Sequence, residues 1–232
     1  MRIRQVHPWD VSVEEAVDLQ LRLAARAQKA APFRGRVRRV AGADLAYDKR
    51  GDRIWAAVVL FSYPDLQRIE EVVDTCRVHF PYIPGLFSFR EAPPILDCLE
   101  RLRSRPDVIM LDAHGIAHPR RFGLASHVGL LASLPSIGCA KSRLVGAHET
   151  VPSAKGGQAP VYYNHSKVGT ALRTRAGVRP VYVSPGYRLS VGSATAMVLA
   201  CAHGHRIPEP IRAAHDLANR ARRLRSIQIA EM

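Results

Sequence analysis

Acid is scarce in this sequence. Asp and Glu number 20 against 34 Lys and Arg, giving a formal net charge of +14 and a pI near 10.4. A surface that basic argues against an acid-rich binder of basic partners and favours polyanions, of which nucleic acid is the commonest. Cysteine is scarce too. Cys76, Cys98, Cys139 and Cys201 stand far apart with no Cys-x-x-Cys pair. That spacing excludes a zinc knuckle and a thioredoxin-like motif, and it reads as reduced core thiols of a cytosolic protein. Long apolar runs are missing. The stretch around Ala194 to Ala202 falls far short of the ~20 residues that span a bilayer. The first residues, MRIRQVHPWD, lack the apolar stretch of a signal peptide. The expectation is a soluble, cytoplasmic, monomeric protein with no membrane partner. No repeat, low-complexity tract or linker interrupts the chain, so residues 1–232 are expected to form a single domain.

Apolar side chains are plentiful, at 47% of the 232 residues, enough for a substantial core. Val13 to Ala30 has helical periodicity. Three strand-like runs follow, Val37 to Tyr47, Ile54 to Tyr63 and Gln67 to Val78, separated by breaks too short for anything but antiparallel neighbours. Ala92 to Arg103 reads as a helix with Pro93 and Pro94 in its first turn, where a missing N–H costs little. Asp107 to Leu111 is a short apolar strand, Phe122 to Ser133 a helix, and Ile137 to Ala140 another strand, which implies a parallel crossover. Pro180 to Val183 suits a further strand after the glycine-rich stretch Lys155 to Gln158. Two helices, Ser193 to Ala202 and Glu209 to Leu224, precede an end expected to fray from Ser226 to Met232. Three antiparallel strands feeding a parallel β-α-β section define an α/β, ribonuclease H-like mixed sheet flanked by helices.

The chemistry is sought where acids are expensive. Asp44 lies inside the strand-like run AGADLAY, and Asp112 ends the apolar strand VIML. A carboxylate in such a place must be paired or must bind a cation. Either acid alone is better read as a cap or a satisfied hydrogen-bond acceptor. In the expected sheet, however, the first and fourth strands are adjacent. Two neighbouring carboxylates repel, and a divalent ion relieves the repulsion. Glu91, in FREAPP, is a third candidate, against the plainer reading of an acid stabilised at a helix N-terminus. Pro81 to Gly85, PYIPG, is stiffened by its two prolines. It could push Tyr82 and Ile83 between stacked bases, or simply pack Tyr82 into the core. The region from Leu111 to Gly129 gathers His114, His118, His127, Arg120 and Arg121 around glycines. Gly115 and Pro119 argue against a zinc-binding helix, and the loop suits phosphate better. Lys141 follows a short strand and could meet the same site or be a solvated loop lysine. His215 lies on the last helix.

Taken together, GADLAY at 42–47, PYIPGLFSFRE at 81–91, LDAHGIAHPRRFGLASHVG at 111–129, GCAKSRLVG at 138–146, VYVSPG at 181–186 and IPEPIRAAH at 207–215 resemble endonuclease V, the family that nicks deoxyinosine-containing DNA. The resemblance implies that Asp44, Glu91 and Asp112 hold a catalytic Mg2+, with Mn2+ able to substitute. It implies that His215 stands near the metal, that Lys141 assists at the scissile phosphate, and that Pro81, Tyr82, Ile83 and Pro84 form a strand-separating wedge. Gly85, Leu86 and Gly138 fall in segments that match the base pocket, with His118 and Arg120 as further contacts to substrate. The expected activity is DNA repair: a nick at the second phosphodiester bond 3′ to inosine, leaving 3′-hydroxyl and 5′-phosphate ends, with other deaminated or mismatched bases as further substrates. The alternatives are an inosine-specific endoribonuclease and a non-catalytic basic nucleic-acid binder. The sequence departs from the family at Ala113, where Gly is usual and a methyl group could narrow the pocket. It departs again at Tyr187, where His is common and a phosphate contact would be weakened.

Overall fold

The computed structural model describes residues 1–48 and 52–230, with no description of the side chains beyond 224. The first helix, α1 (Val13–Gln28), begins at a capping box. The Ser12 hydroxyl accepts from the Glu15 N–H, and the Glu15 carboxylate accepts from the Ser12 N–H. Three strands follow, β1 (Arg39–Tyr47), β2 (Arg53–Ser62) and β3 (Arg68–Arg77), then α2 (Phe87–Arg101), β4 (Val108–Leu111), α3 (Leu124–Ala132) and β5 (Ser136–Ala140). The chain continues through β6 (Gln158–Tyr163), β7 (Ser166–Leu172), β8 (Val181–Tyr187), α4 (Val191–Ala200) and α5 (Glu209–Ala230). All eight strands join one sheet in the order β3-β2-β1-β4-β5-β8-β7-β6. β1, β2 and β3 are antiparallel, while β1, β4 and β5 run parallel. The expected mixed sheet is therefore present.

Alternation along each strand sorts the core into two layers. Ala41, Ala43, Ala56, Val58, Ile109 and Leu111 point toward α1, α2 and α3. Val40, Ala57, Val59, Val108 and Met110 point toward α4 and α5. Gly42 belongs to this second face. A Cβ there would lie 1.9 Å from the carbonyl oxygen of Pro210, so only glycine lets the start of α5 rest on the sheet backbone.

Several sequence expectations are corrected. α2 starts at Phe87, so Pro93 and Pro94 lie inside the helix rather than in its first turn. Each removes an N–H from the helical ladder. Phe89 and Leu86, buried against Ala16, Leu19 and Phe80, hold the extra N-terminal turn in place. Strands β6 and β7 were not anticipated. Their two-residue turn is Asn164-His165, with both φ values positive at 48° and 57°. A primed hairpin turn needs that conformation, but it usually advertises itself with glycine. β8 runs to Tyr187, well past Val183. α5 continues to Ala230, and the fraying expected at residues 231 and 232 falls outside the described residues. Among the described residues, no helix is long and apolar enough to cross a membrane.

Replacing Gly42 with Ala should force α5 away from β1. The expected loss is about 3 kcal/mol of folding free energy, the upper end for overpacking against backbone. Urea denaturation would measure it, and an unchanged midpoint would contradict the described contact.

Candidate active site

The register of β1 and β4 decides where the acids meet. Ala43 pairs with Leu111 in parallel, so Asp44, inside β1, and Asp112, just past the end of β4, come next on adjacent strands. The Asp112 N–H reaches the Ala43 carbonyl at 3.4 Å. Each carboxylate is met by a cationic or polar partner from a different element. His215, on α5, places Nδ1 at 2.7 Å from Asp44 Oδ2. Lys141, just after β5, donates from Nζ to Asp112 Oδ2. The Asn219 side chain lies one helical turn beyond His215 and contacts its Nε2 at 3.3 Å.

Glu91 approaches from α2. It sits past the first turn of that helix, so the N-terminal dipole reading does not apply. Its Oε1 accepts from the Tyr47 hydroxyl at 2.7 Å. Burial pushes the Glu91 carboxyl up to about 7; the Tyr47 hydrogen bond opposes this, and the charges of Asp44 and Asp112 reinforce it. Asp44 is likewise pushed up, first by burial and then by Asp112. Burial pulls the Lys141 ammonium down, but its contact with Asp112 outweighs that and leaves it above the usual lysine range. Burial is the larger cause for both Glu91 and Asp44, and the neighbouring carboxylates add to it.

A cavity of about 370 Å³ opens beside the acids, lined by Glu91, Asp112, Lys141, Ala113, His118 and Gly85 among others. That volume suits one small ring system. Gly138 borders the same region from β5, where it pairs with Leu111 and with Ser184 of β8. Of the PYIPG loop, Gly85 lines the cavity. Tyr82 is 69% exposed, with its ring 4.8 Å from that of Phe87, so the reading of Tyr82 as a core residue is overturned. Ile83 is partly buried against Phe80 and Leu86, which anchor the loop from below.

His118 and Arg120 do not project outward as phosphate ligands. His118 is buried, and its Nε2 lies 3.0 Å from the Gly85 carbonyl. Arg120 donates to the same carbonyl at 2.8 Å. Gly85 itself has φ +80°, a conformation that only glycine adopts cheaply. Burial and the neighbouring Arg120 pull the His118 imidazole down to about 4. Tyr187 lies away from the acids, packed on the α2–α3 side of the core and lining a different cavity. Ala113, by contrast, does line the cavity beside the acids.

Two residues at this site escaped the sequence reading. Tyr47 closes the strand that carries Asp44, and its place at the end of AGADLAY was the available signal. Gln20 is fully buried on the inner face of α1 with Ala16, Leu19, Leu23 and Ala24; a polar residue on an apolar stripe was the signal there.

The matching profile is that of the endonuclease V family, over residues 20–216. This chain belongs to that family. An endonuclease V of Roseiflexus castenholzii is 50% identical over 216 residues, 93% of this chain and 96% of that protein. The crystal structure of an endonuclease V from Streptomyces avermitilis superposes with a TM-score of 0.88 at 39% identity, covering 97% of this chain and all of that one. A Ciona intestinalis endonuclease V, solved with a 23mer DNA containing an inosine followed by a ribo-adenosine, superposes at 0.78 with 25% identity, covering 92% and 99% of the two chains. Family membership makes the protein a nuclease, and its eight-stranded sheet is the endonuclease V fold.

Does the donor set suit a divalent ion? Asp44, Glu91 and Asp112 offer hard oxygen ligands, with Asp112 adding to the raised proton affinity of both Asp44 and Glu91, which fits an oxygen-preferring cation such as Mg2+. As the side chains stand, no three His, Cys, Asp or Glu among the described residues are gathered tightly enough to hold an ion. One oxygen of each acid is engaged instead by His215, Lys141 or Tyr47.

His118 predicts a pH effect. Its imidazole is neutral in the fold down to about 4, but takes a proton at about 6.5 when unfolded. Its contribution is therefore intact above 6.5 and is lost as pH falls from 6.5 toward 4, by up to about 3 kcal/mol. Urea titrations across that window should show a flatter pH dependence for His118→Gln than for the parent chain; identical slopes would count against the buried neutral imidazole.

Proposed function

We propose that this protein nicks nucleic acid beside inosine, with Asp44, Glu91 and Asp112 as a metal-holding triad and DNA as the principal substrate. The observation that carries the reading is the parallel pairing that sets Asp44 beside Asp112, with Asp112 lining a cavity that Gly85, the last residue of the PYIPG loop, also lines. The likeness to the Ciona intestinalis enzyme, solved with inosine-containing DNA, supports the substrate.

The division of labour follows from the contacts. A divalent ion held by the three acids would act as Lewis acid toward the phosphodiester and lower the pKa of a nearby water. Lys141, already drawn to Asp112, is placed to offset charge that develops on the phosphate. His215 orients Asp44, and Tyr47 orients Glu91. Tyr82 enters the base stack, and the extruded base occupies the cavity lined by Gly85 and Ala113, with Leu86 and Gly138 in the segments behind it. A base in a mismatch leaves the stack at lower cost than one in a normal pair, so inosine and other mismatched or deaminated bases are favoured. The nick falls at the second phosphodiester bond 3′ to inosine, giving 3′-hydroxyl and 5′-phosphate ends. The excess of Lys and Arg grips the backbone, so binding weakens steeply with salt.

A second reading, an inosine-specific endoribonuclease, draws on one observation: the Ciona intestinalis complex accommodates a ribo-adenosine directly after the inosine. Matched DNA and RNA strands with one inosine each would rank the two substrates.

An end-labelled inosine duplex, mapped to the nucleotide with Mg2+, Mn2+ or Ca2+, tests the reading directly. Asp44→Ala and Asp112→Ala should each lower nicking by at least about a hundredfold, while binding in Ca2+ persists. Full activity in both variants would remove the metal assignment. Tight binding with no nick under any metal would favour a non-catalytic binder.

A further inference from the structure

The carbonyl of Gly85 carries an unusual load. A carbonyl oxygen has two lone pairs, yet three side chains converge on this one. Gln20 donates from Nε2 at 3.0 Å, Arg120 from Nη2 at 2.8 Å, and His118 Nε2 lies at 3.0 Å. Gln20 ties the group together. Its Nε2 also reaches the Phe122 carbonyl at 3.2 Å, and its Oε1 accepts from Arg120 Nε at 2.5 Å. Every polar atom of Gln20 is thus engaged with protein. The residue is fully buried and lines the cavity beside the acids, but with both amide atoms committed to protein it has no free polar atom to offer a base.

The location gives these bonds a purpose. Gly85 is the last residue of PYIPG and lies just before α2, the helix that brings Glu91 to the acids. Arg120 and Phe122 belong to the loop between β4, which ends just before Asp112, and α3. Gln20 therefore fastens the base of the wedge loop to the segment that follows the catalytic strand. The prolines stiffen the loop internally, but they do not fix its direction relative to the rest of the molecule. An exposed aromatic can open a duplex only if its base resists the push from stacked bases.

We infer that Gln20 is a positioning residue for strand separation, holding the Gly85 end of the wedge so that Tyr82 meets the duplex at a fixed angle. The inference rests on the inosine-nicking reading above. It predicts a loss that depends on whether the substrate is paired, because an unpaired inosine does not have to be pried from a helix.

The test compares nicking of one inosine-containing sequence as a duplex and as a single strand. Gln20→Met keeps the length and most of the volume while removing the hydrogen bonds. The ratio of duplex to single-strand kcat/KM should fall about tenfold or more, the size expected for losing charge-assisted buried bonds. A fluorescent adenine analogue placed opposite inosine should brighten on binding the parent chain and brighten less with Gln20→Met. Gln20→Glu keeps the acceptor for Arg120 but loses the donor to Gly85 and Phe122; it should show the same direction of change, and it serves if the Met variant does not fold. An equal fall on both substrates, or an unchanged ratio in both variants, overturns the role of Gln20. Failure of the parent chain to nick either substrate overturns the inosine reading instead.

Discussion

Mutual repulsion between Asp44 and Asp112 is the constraint around which the rest of the site is arranged. Backbone pairing of β1 with β4 holds Asp44, inside β1, beside Asp112, just past β4, and the protein cannot relax them apart without breaking the sheet. Burial sharpens the problem because it weakens solvent screening. The fold answers with basic groups from two other elements, His215 from α5 and Lys141 from beyond β5. Asp44 and Glu91 still hold protons more readily than ordinary acids, chiefly because they are buried and secondarily because of the neighbouring carboxylates. A polyanionic substrate adds further negative charge at the same place, so a cation is the economical remedy.

That arrangement depends on close contact between layers. Asp44 points to the same face as Gly42, two residues earlier on β1, and it is there that α5 lies against the sheet backbone. A larger residue at position 42 would lift the helix and carry His215 away from its carboxylate. The opposite face contributes through α2, whose early start at Phe87 sets the register that delivers Glu91 to Tyr47. Packing on both sides of one sheet thus converges at one end of two strands.

How far the sequence discloses this can be judged residue by residue. Asp44 and Asp112 were legible because acids interrupt apolar strands, and strand adjacency followed from connection lengths. The antiparallel trio and the parallel crossover were legible for the same reason. The β6–β7 hairpin was not, because its turn uses Asn164 and His165 in place of glycine. The prolines of α2 misled, since tertiary packing around Phe89 extended the helix past its local signal. His118 and Arg120 looked like phosphate ligands from composition, yet their side chains turn inward to Gly85. Inward or outward orientation on an irregular loop has no periodicity from which to be inferred.

An open sheet of eight strands has two borders, one of them bridged at Tyr162 of β6 by Ala147, and such borders in principle invite another chain to dock edge to edge. Both are blunted. At one border, β3 exposes Arg68, Glu71 and Arg77 among its side chains, a mixture of charges unsuited to stacking against a copy of itself. At the other, β6 carries Pro160, which has no N–H to offer a newcomer. The long sheet needed to bring the acids together therefore carries its own protection against uncontrolled fibre growth.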